Sequence, residues 1–180
     1  RDGTIFATDS ISPVIYKIDP KRDQIEEFIR SDSFASLQGI TTDGRNTLYV
    51  ADYAKGIFRI DAATKKVVQL TQTERITLLG IDGLYFYRGK LIAIQNGVNP
   101  NRVISLNFNG IDKDKIDSMT TLEANHPDFM EPTLGLLLGD EFHYIANSQW
   151  PLVSDKGELS VEKLREPVVL KLDAKKALAK

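Results

Sequence analysis

Short apolar runs separated by polar clusters dominate this chain, and few segments carry a helical period. Four runs share one pattern, an apolar strand ending in a small or polar cluster. They are Ile5-Phe6-Ala7-Thr8-Asp9, Leu48-Tyr49-Val50-Ala51-Asp52, Leu91-Ile92-Ala93-Ile94-Gln95 and His143-Tyr144-Ile145-Ala146-Asn147. The first three begin about 43 residues apart, and the fourth lags by roughly nine more. A period of about 40–45 residues made of several short strands is the signature of a β-propeller.

The second repeat shows the plan of one blade. Leu37 to Asp43 reads as a strand and Asp43-Gly44-Arg45-Asn46 as a turn. The runs Thr47 to Tyr53, Ile57 to Asp61 and Val67 to Leu70 follow as three more strands, joined by tight polar turns. In the third repeat the strands are Gly80 to Tyr87, Leu91 to Gln95, Arg102 to Asn109 and Lys115 to Leu122. The fourth has Thr133 to Leu138, Glu141 to Asn147 and, after a long excursion, Val168 to Asp173; Val161 to Arg165 fits one helical turn. The expected fold is therefore all-β, a single partial propeller of about four blades in a six-bladed ring. The blades fall at residues 1–32, 36–72, 79–123 and 131–175, with an inserted loop at 151–166.

The register of the repeats predicts an arc. Arg1-Asp2-Gly3 reads as the turn after a missing inner strand, and Ala- and Lys-rich sequence after Asp173 replaces a last outer strand. Natural all-β proteins cover such unpaired edges. Missing N-terminal blades, or an oligomer, are expected to complete the ring.

Composition narrows the partners. The chain has 42% hydrophobic and 27% charged residues with a net charge of −2, which gives no electrostatic reason to expect nucleic acid or an anionic membrane. The lysines gathered near the C-terminus (Lys171, Lys175, Lys176, Lys180) read as a solvated tail. The absence of cysteine excludes disulfides, thiolate metal sites and a cysteine nucleophile. No apolar run approaches the ~18 residues of a membrane helix. Compartment stays open, with a secreted or periplasmic location favoured over the cytoplasm.

Two motifs resemble a known group. Ser36-Leu37-Gln38-Gly39-Ile40 followed by Leu48 to Asp52 resembles the "GI … LYVAD" unit of six-bladed propellers. That unit is shared by NHL-repeat, strictosidine-synthase-like and SMP-30/gluconolactonase/paraoxonase proteins. The segment Ile81-Asp82-Gly83-Leu84-Tyr85-Phe86, then Gly89-Lys90-Leu91-Ile92-Ala93, is most similar to the SMP-30/gluconolactonase-like pattern. There "DG(L/M)" opens an inner strand and "GKLW-A" follows. The resemblance spans nearly the whole chain and corresponds to the C-terminal portion of that family. It implies that Asp82 binds a divalent cation (Ca²⁺ first, Zn²⁺ or Mg²⁺ otherwise) acting as a Lewis acid on a lactone or ester carbonyl. Gln38 stands where the family usually has Asn, and the family's first-blade Glu ligand has no counterpart here. The alternative implied by the shared unit is a non-catalytic NHL-like propeller that binds a ligand or protein partner on its channel face.

In a four-strand blade the start of the innermost strand and the turn after the second strand lie on one face of the ring. That places Gln38, Asp82 and Thr133 in one set around the channel and Asp9, Asp52, Gln95, Asn96 and Asn147 in another. Such Asp, Asn and Gln oxygens suit a hard cation, and equally a polyhydroxylated or carbonyl-bearing small molecule. Asp82 is the main catalytic and metal-ligand candidate, against the alternative of a local Asx-type turn. Asp9 and Asp52 recur with the repeat and read as structural. Asn96 and Asn147 break it and, with Gln38, are candidate substrate contacts. Trp150, the only tryptophan, either stacks on a ligand at the rim or pins the 151–166 loop, itself a candidate lid. His126 is a second catalytic candidate, an acid–base group reaching the channel together with Glu131, whereas His143 reads as packed or exposed within a strand. No Ser-His-Asp spacing, GxSxG, HExxH or P-loop is present.

Overall fold

Alternating apolar residues build four sheets in succession along the chain in the computed structural model, which describes residues 3–179. The first holds β1 (Ile5–Thr8), β2 (Val14–Asp19) and β3 (Gln24–Arg30). The second holds β4 (Leu37–Thr42), β5 (Thr47–Asp52), β6 (Gly56–Asp61) and β7 (Val67–Gln69). A two-residue strand, β8 (Thr71–Gln72), then crosses to the outer edge of the third sheet. That sheet continues with β9 (Ile81–Tyr87), β10 (Lys90–Gln95), β11 (Arg102–Phe108) and β12 (Lys115–Ala124). The fourth is β13 (Gly135–Leu138), β14 (Glu141–Ile145) and β15 (Val169–Asp173). Within each blade, consecutive strands pair antiparallel, and only β8 joins in parallel. These are successive blades of a β-propeller.

The period-2 alternation sends each strand's side chains to two neighbouring blades. Leu48 and Val50 pack with Ile15 and Phe28 of the first blade, whereas Tyr49 and Ala51 pack with Leu91 and Ala93 of the third. Ile92 and Ile94 in turn meet Phe142 and Tyr144 of the fourth. Most of these side chains are fully buried, and burying each large one stabilises the fold by about 1.5–3 kcal/mol. Arg59 adds a lateral tie, its guanidinium bonding both carboxylate oxygens of Asp114 at 2.5 and 3.1 Å.

The fourth repeat sits one residue out of the register expected from its motif. Tyr87 pairs with Lys90 across the third-blade hairpin and Leu138 with Glu141 across the fourth, so Phe142 is the counterpart of Leu91 and Ala146 that of Gln95. A one-residue shift exchanges the faces. Tyr144 therefore packs back onto the third blade, and His143 turns to the open side of the sheet beside Leu136 and Val169. The excursion after Asn147 carries 3-10 turns at Trp150–Leu152 and Val161–Lys163 and one bridge, Val153 to Leu159. A short helix, Ala174–Ala177, follows β15, where Asp173 accepts a capping bond from the Lys176 N–H at 2.8 Å. No helix among the described residues is long and apolar enough to cross a membrane.

The inner strands approach closely where glycines permit it. A Cβ on Gly39 would lie 2.6 Å from the Asp82 carbonyl oxygen and from the Leu84 nitrogen. The bare backbone at this point lets β4 press against the start of β9, the strand that carries Asp82.

Candidate ligand site at the channel mouth

Asp82 is the second residue of β9, at the end of the inner strand where the loops of neighbouring blades converge. Its Oδ2 accepts from Thr133 Oγ1 at 2.6 Å and from Asn96 Nδ2 at 3.1 Å. Asn96 Nδ2 also donates to the Pro132 carbonyl at 2.9 Å, so two acceptors fix the amide's orientation. The same orientation leaves Asn96 Oδ1 buried without a hydrogen-bond partner. Backbone geometry sets these groups in place. The Gly97 N–H donates to Gly80 O and the Gly80 N–H to Tyr53 O, at 3.0 and 2.8 Å. Asn101 Nδ2 bonds the Asn96 and Val98 carbonyls.

Glu131 enters from the connection before β13 with a backbone φ of +59°, an uncommon conformation for a side chain of its kind. The Ser148 N–H donates to Glu131 O at 3.2 Å and the Gln149 N–H to Met130 O at 3.3 Å. These bonds seat the turn bearing Trp150 beside Glu131. Together Gln38, Tyr53, Asp82, Asn96, Glu131 and Trp150 border a cavity of about 470 Å³, which Thr133, Leu134 and two serines complete. A second cavity of about 410 Å³ shares Ser10, Gln38, Asp82 and Leu134 and extends past Ile40 and Leu84 to Tyr85.

Among the described residues, no Lys, Arg or His borders the mouth cavity. Burial, and then the charge of Asp82, push the Glu131 carboxyl above its usual range. Burial raises the Tyr53 phenol as well, with Glu131 and Asp82 adding to the effect. Deeper in, burial pushes Tyr85 up to about 12, and its hydroxyl oxygen accepts from the Gly135 N–H at 2.6 Å.

Other expected site residues have different work. Asp52 is fully buried, with Oδ2 accepting from the Ala35 and Ser36 N–H groups and Oδ1 from those of Ala54 and Lys55. Gln95 occupies the equivalent place but donates to the Thr77 and Leu79 carbonyls and accepts from Arg102 Nε. The amide replaces the carboxylate because the partners in that loop are carbonyls. Asp9 accepts from the Ile11 and Ser12 N–H groups. Asn147 clamps both sides of the strand entry, donating to Glu166 O at 3.0 Å and accepting from the Val168 N–H at 2.6 Å. Neither Asn147 nor His126 borders the mouth cavity. His126 lies beyond β12, its Nδ1 accepting from the Asp128 N–H at 3.2 Å and its ring 5.7 Å from that of Phe129. Of the excursion, Trp150 alone reaches the cavity, and it is 63% exposed there. Tyr53 was not anticipated; its signal is that it follows Asp52 as Asn96 follows Gln95.

Among the described residues, no three His, Cys, Asp or Glu side chains gather closely enough to hold a metal ion. Asp82 and Glu131 are the carboxylates at the mouth that could contribute to one.

No protein-family model matches the chain, and no curated protein does. Solved structures do. A chain of a nidogen/laminin complex matches at 14% identity and a TM-score of 0.61, over 98% of this chain and 73% of that one. The PQQ-bound aldose sugar dehydrogenase of Streptomyces coelicolor matches at 15% and 0.54, over 77% of this chain and 45% of that one. TolB from Acinetobacter baumannii matches at 14% and 0.58, over 96% and 38%. These relatives are β-propellers, and the likeness is one of fold. The finer resemblance to the SMP-30/gluconolactonase group rests on the sequence motifs alone.

Proposed function

We propose that this propeller binds a small polar molecule at the mouth of its channel, with Asp82 as the central acceptor. The observation that carries this reading is the mouth cavity itself: about 470 Å³, walled by polar groups from four blades and rimmed by an exposed indole. Ligand sites commonly fall between about 300 and 1,000 Å³. Asp82 Oδ2 is occupied by Thr133 and Asn96, while its other oxygen takes no hydrogen bond from the described residues. Trp150 emission reports on the rim. Titration with sugars, lactones and amines is expected to give a saturable change that Asp82→Ala removes. Flat emission and no calorimetric heat across the whole series would overturn the proposal.

A second reading is cation-assisted hydrolysis of a lactone or ester. It is favoured by the convergence of the Asp82 and Glu131 carboxylates on one cavity. An all-oxygen set suits Ca²⁺ or Mg²⁺ better than Zn²⁺. Such an ion would supply Lewis-acid polarisation of a carbonyl, with Asp82 and Glu131 holding it. A higher melting temperature in millimolar Ca²⁺, lost in Asp82→Asn, supports this reading; an unchanged one sinks it.

A further inference from the structure

We infer that the ligand of the channel mouth is an organic ammonium compound, with Glu131 as its counter-charge and the Trp150 indole covering its apolar part. This inference rests on the proposed small-molecule site and names the class of molecule it takes.

The argument begins with what the protein does with its other carboxylates. Asp114 is paired with Arg59, and Asp140 with Arg88 and Tyr87. Glu123 accepts from Tyr144, and the fully buried Asp52 is met by four backbone N–H groups. Among the described carboxylates that are not fully exposed, Glu131 is the exception. It is half-buried, forms no hydrogen bond or ion pair through its side chain with any of the described residues, and has another carboxylate, Asp82, as its electrostatic neighbour. A charge withdrawn from water without a partner is costly. That cost is borne at a cavity that holds a second carboxylate and, among the described residues, is bordered by no basic side chain.

Every unmet requirement at the mouth is therefore for positive charge and for hydrogen-bond donors. A neutral polyol would bring donors but leave the two carboxylates uncompensated. A bare divalent ion would bring charge but make no use of the indole at the rim. An ammonium group brings charge and up to three N–H donors, and aromatic faces attract such cations. Trp150 and Tyr53 border the same cavity as the carboxylates. The deeper cavity, walled partly by Ile40 and Leu84, can take an alkyl portion.

The test is calorimetric titration of the whole protein with cyclohexylammonium, neutral cyclohexylmethanol, cyclohexanecarboxylate, glycerol and calcium chloride. The expected result is that cyclohexylammonium binds about tenfold more tightly than the alcohol, with no measurable binding of the carboxylate. Glu131→Gln is expected to cut ammonium affinity about tenfold while leaving the alcohol unaffected. Trp150→Ala should weaken both the amine and the alcohol. Alcohol, glycerol or carboxylate binding as tightly as the amine would overturn the inference while leaving the site standing. So would calcium binding without amine binding. Silence from every probe would overturn both the inference and the site.

Discussion

Thr133 Oγ1 donates to Asp82 Oδ2 at 2.6 Å, joining two blades across 51 residues of chain. The bond orients the Asp82 carboxylate and so links the packing of the third and fourth blades to the shape of the mouth. Replacing Thr133 by Val keeps the volume and removes the donor. The expected cost is about 1–2 kcal/mol of stability, read by urea unfolding, together with weaker ligand binding. Thr133→Ser should restore most of both. Unfolding of Thr133→Val at the parent's urea midpoint would show that the bond contributes nothing.

Glu131 predicts a pH effect of definite sign. Its folded-state pKa lies above the ordinary 4.5 because of burial and then Asp82. The native state thus holds the proton more tightly than the unfolded chain, and ionisation above that pKa lowers stability. This destabilisation is present at neutral pH and is relieved as pH falls through the raised pKa. Asp9 and Asp114 act oppositely. Backbone amides of Ser12 and Ile11 hold Asp9 below 3.8, and Arg59 does so for Asp114, so their contributions are lost as pH falls below that value. Glu131→Gln should therefore melt higher than the parent at about pH 7, with the gap closing near about pH 4. Equal melting temperatures at both pH values would contradict this.

The blades were legible in the sequence because strand alternation and turn chemistry agree. Leu48 and Val50 face one neighbour and Tyr49 and Ala51 the other, as a period of two requires. The fourth repeat misled by one residue because Ile145-Ala146-Asn147 imitates Val50-Ala51-Asp52. The hairpin pairing of Leu138 with Glu141, closed around Gly139 at φ +63°, sets the true register. Asp82 stood out through its motif. Glu131 lies in a connection without period, and its approach to Asp82 depends on a left-handed backbone and on bonds to residues 148 and 149. Whether Asn147 contacts a ligand or clamps backbone depends on the Glu166 and Val168 partners that only the folded excursion supplies.

Asp52 and Gln95 offer a test of partner polarity. Asp52→Ala removes the side-chain acceptor of four backbone N–H groups, of which that of Lys55 keeps the Asp52 carbonyl, at an expected cost of about 1–3 kcal/mol in chemical denaturation. Asp52→Gln, although it copies the third blade, should not rescue the loss. The Gln95 amide is built to donate to carbonyls, and the Asp52 loops present N–H groups instead. Full stability in Asp52→Gln would refute this assignment of roles.

Gly39 couples the core to the mouth most directly. Any Cβ there collides with the Asp82 carbonyl oxygen and the Leu84 nitrogen at 2.6 Å, and both are backbone atoms that cannot swing aside. Gly39→Ala must push β4 and β9 apart, which overpacking energetics put at about 3 kcal/mol. The shift also moves Asp82 away from Thr133, because the clash falls on Asp82's own peptide group. Ligand affinity is therefore expected to fall more in Gly39→Ala than in a variant of similar instability distant from the mouth, such as Ile60→Ala, which opens a void in the buried core of β6. The comparison is made by calorimetry at a temperature where both variants are fully folded. A Gly39→Ala protein that binds like the parent would separate the β4–β9 approach from the site and leave it a packing feature alone.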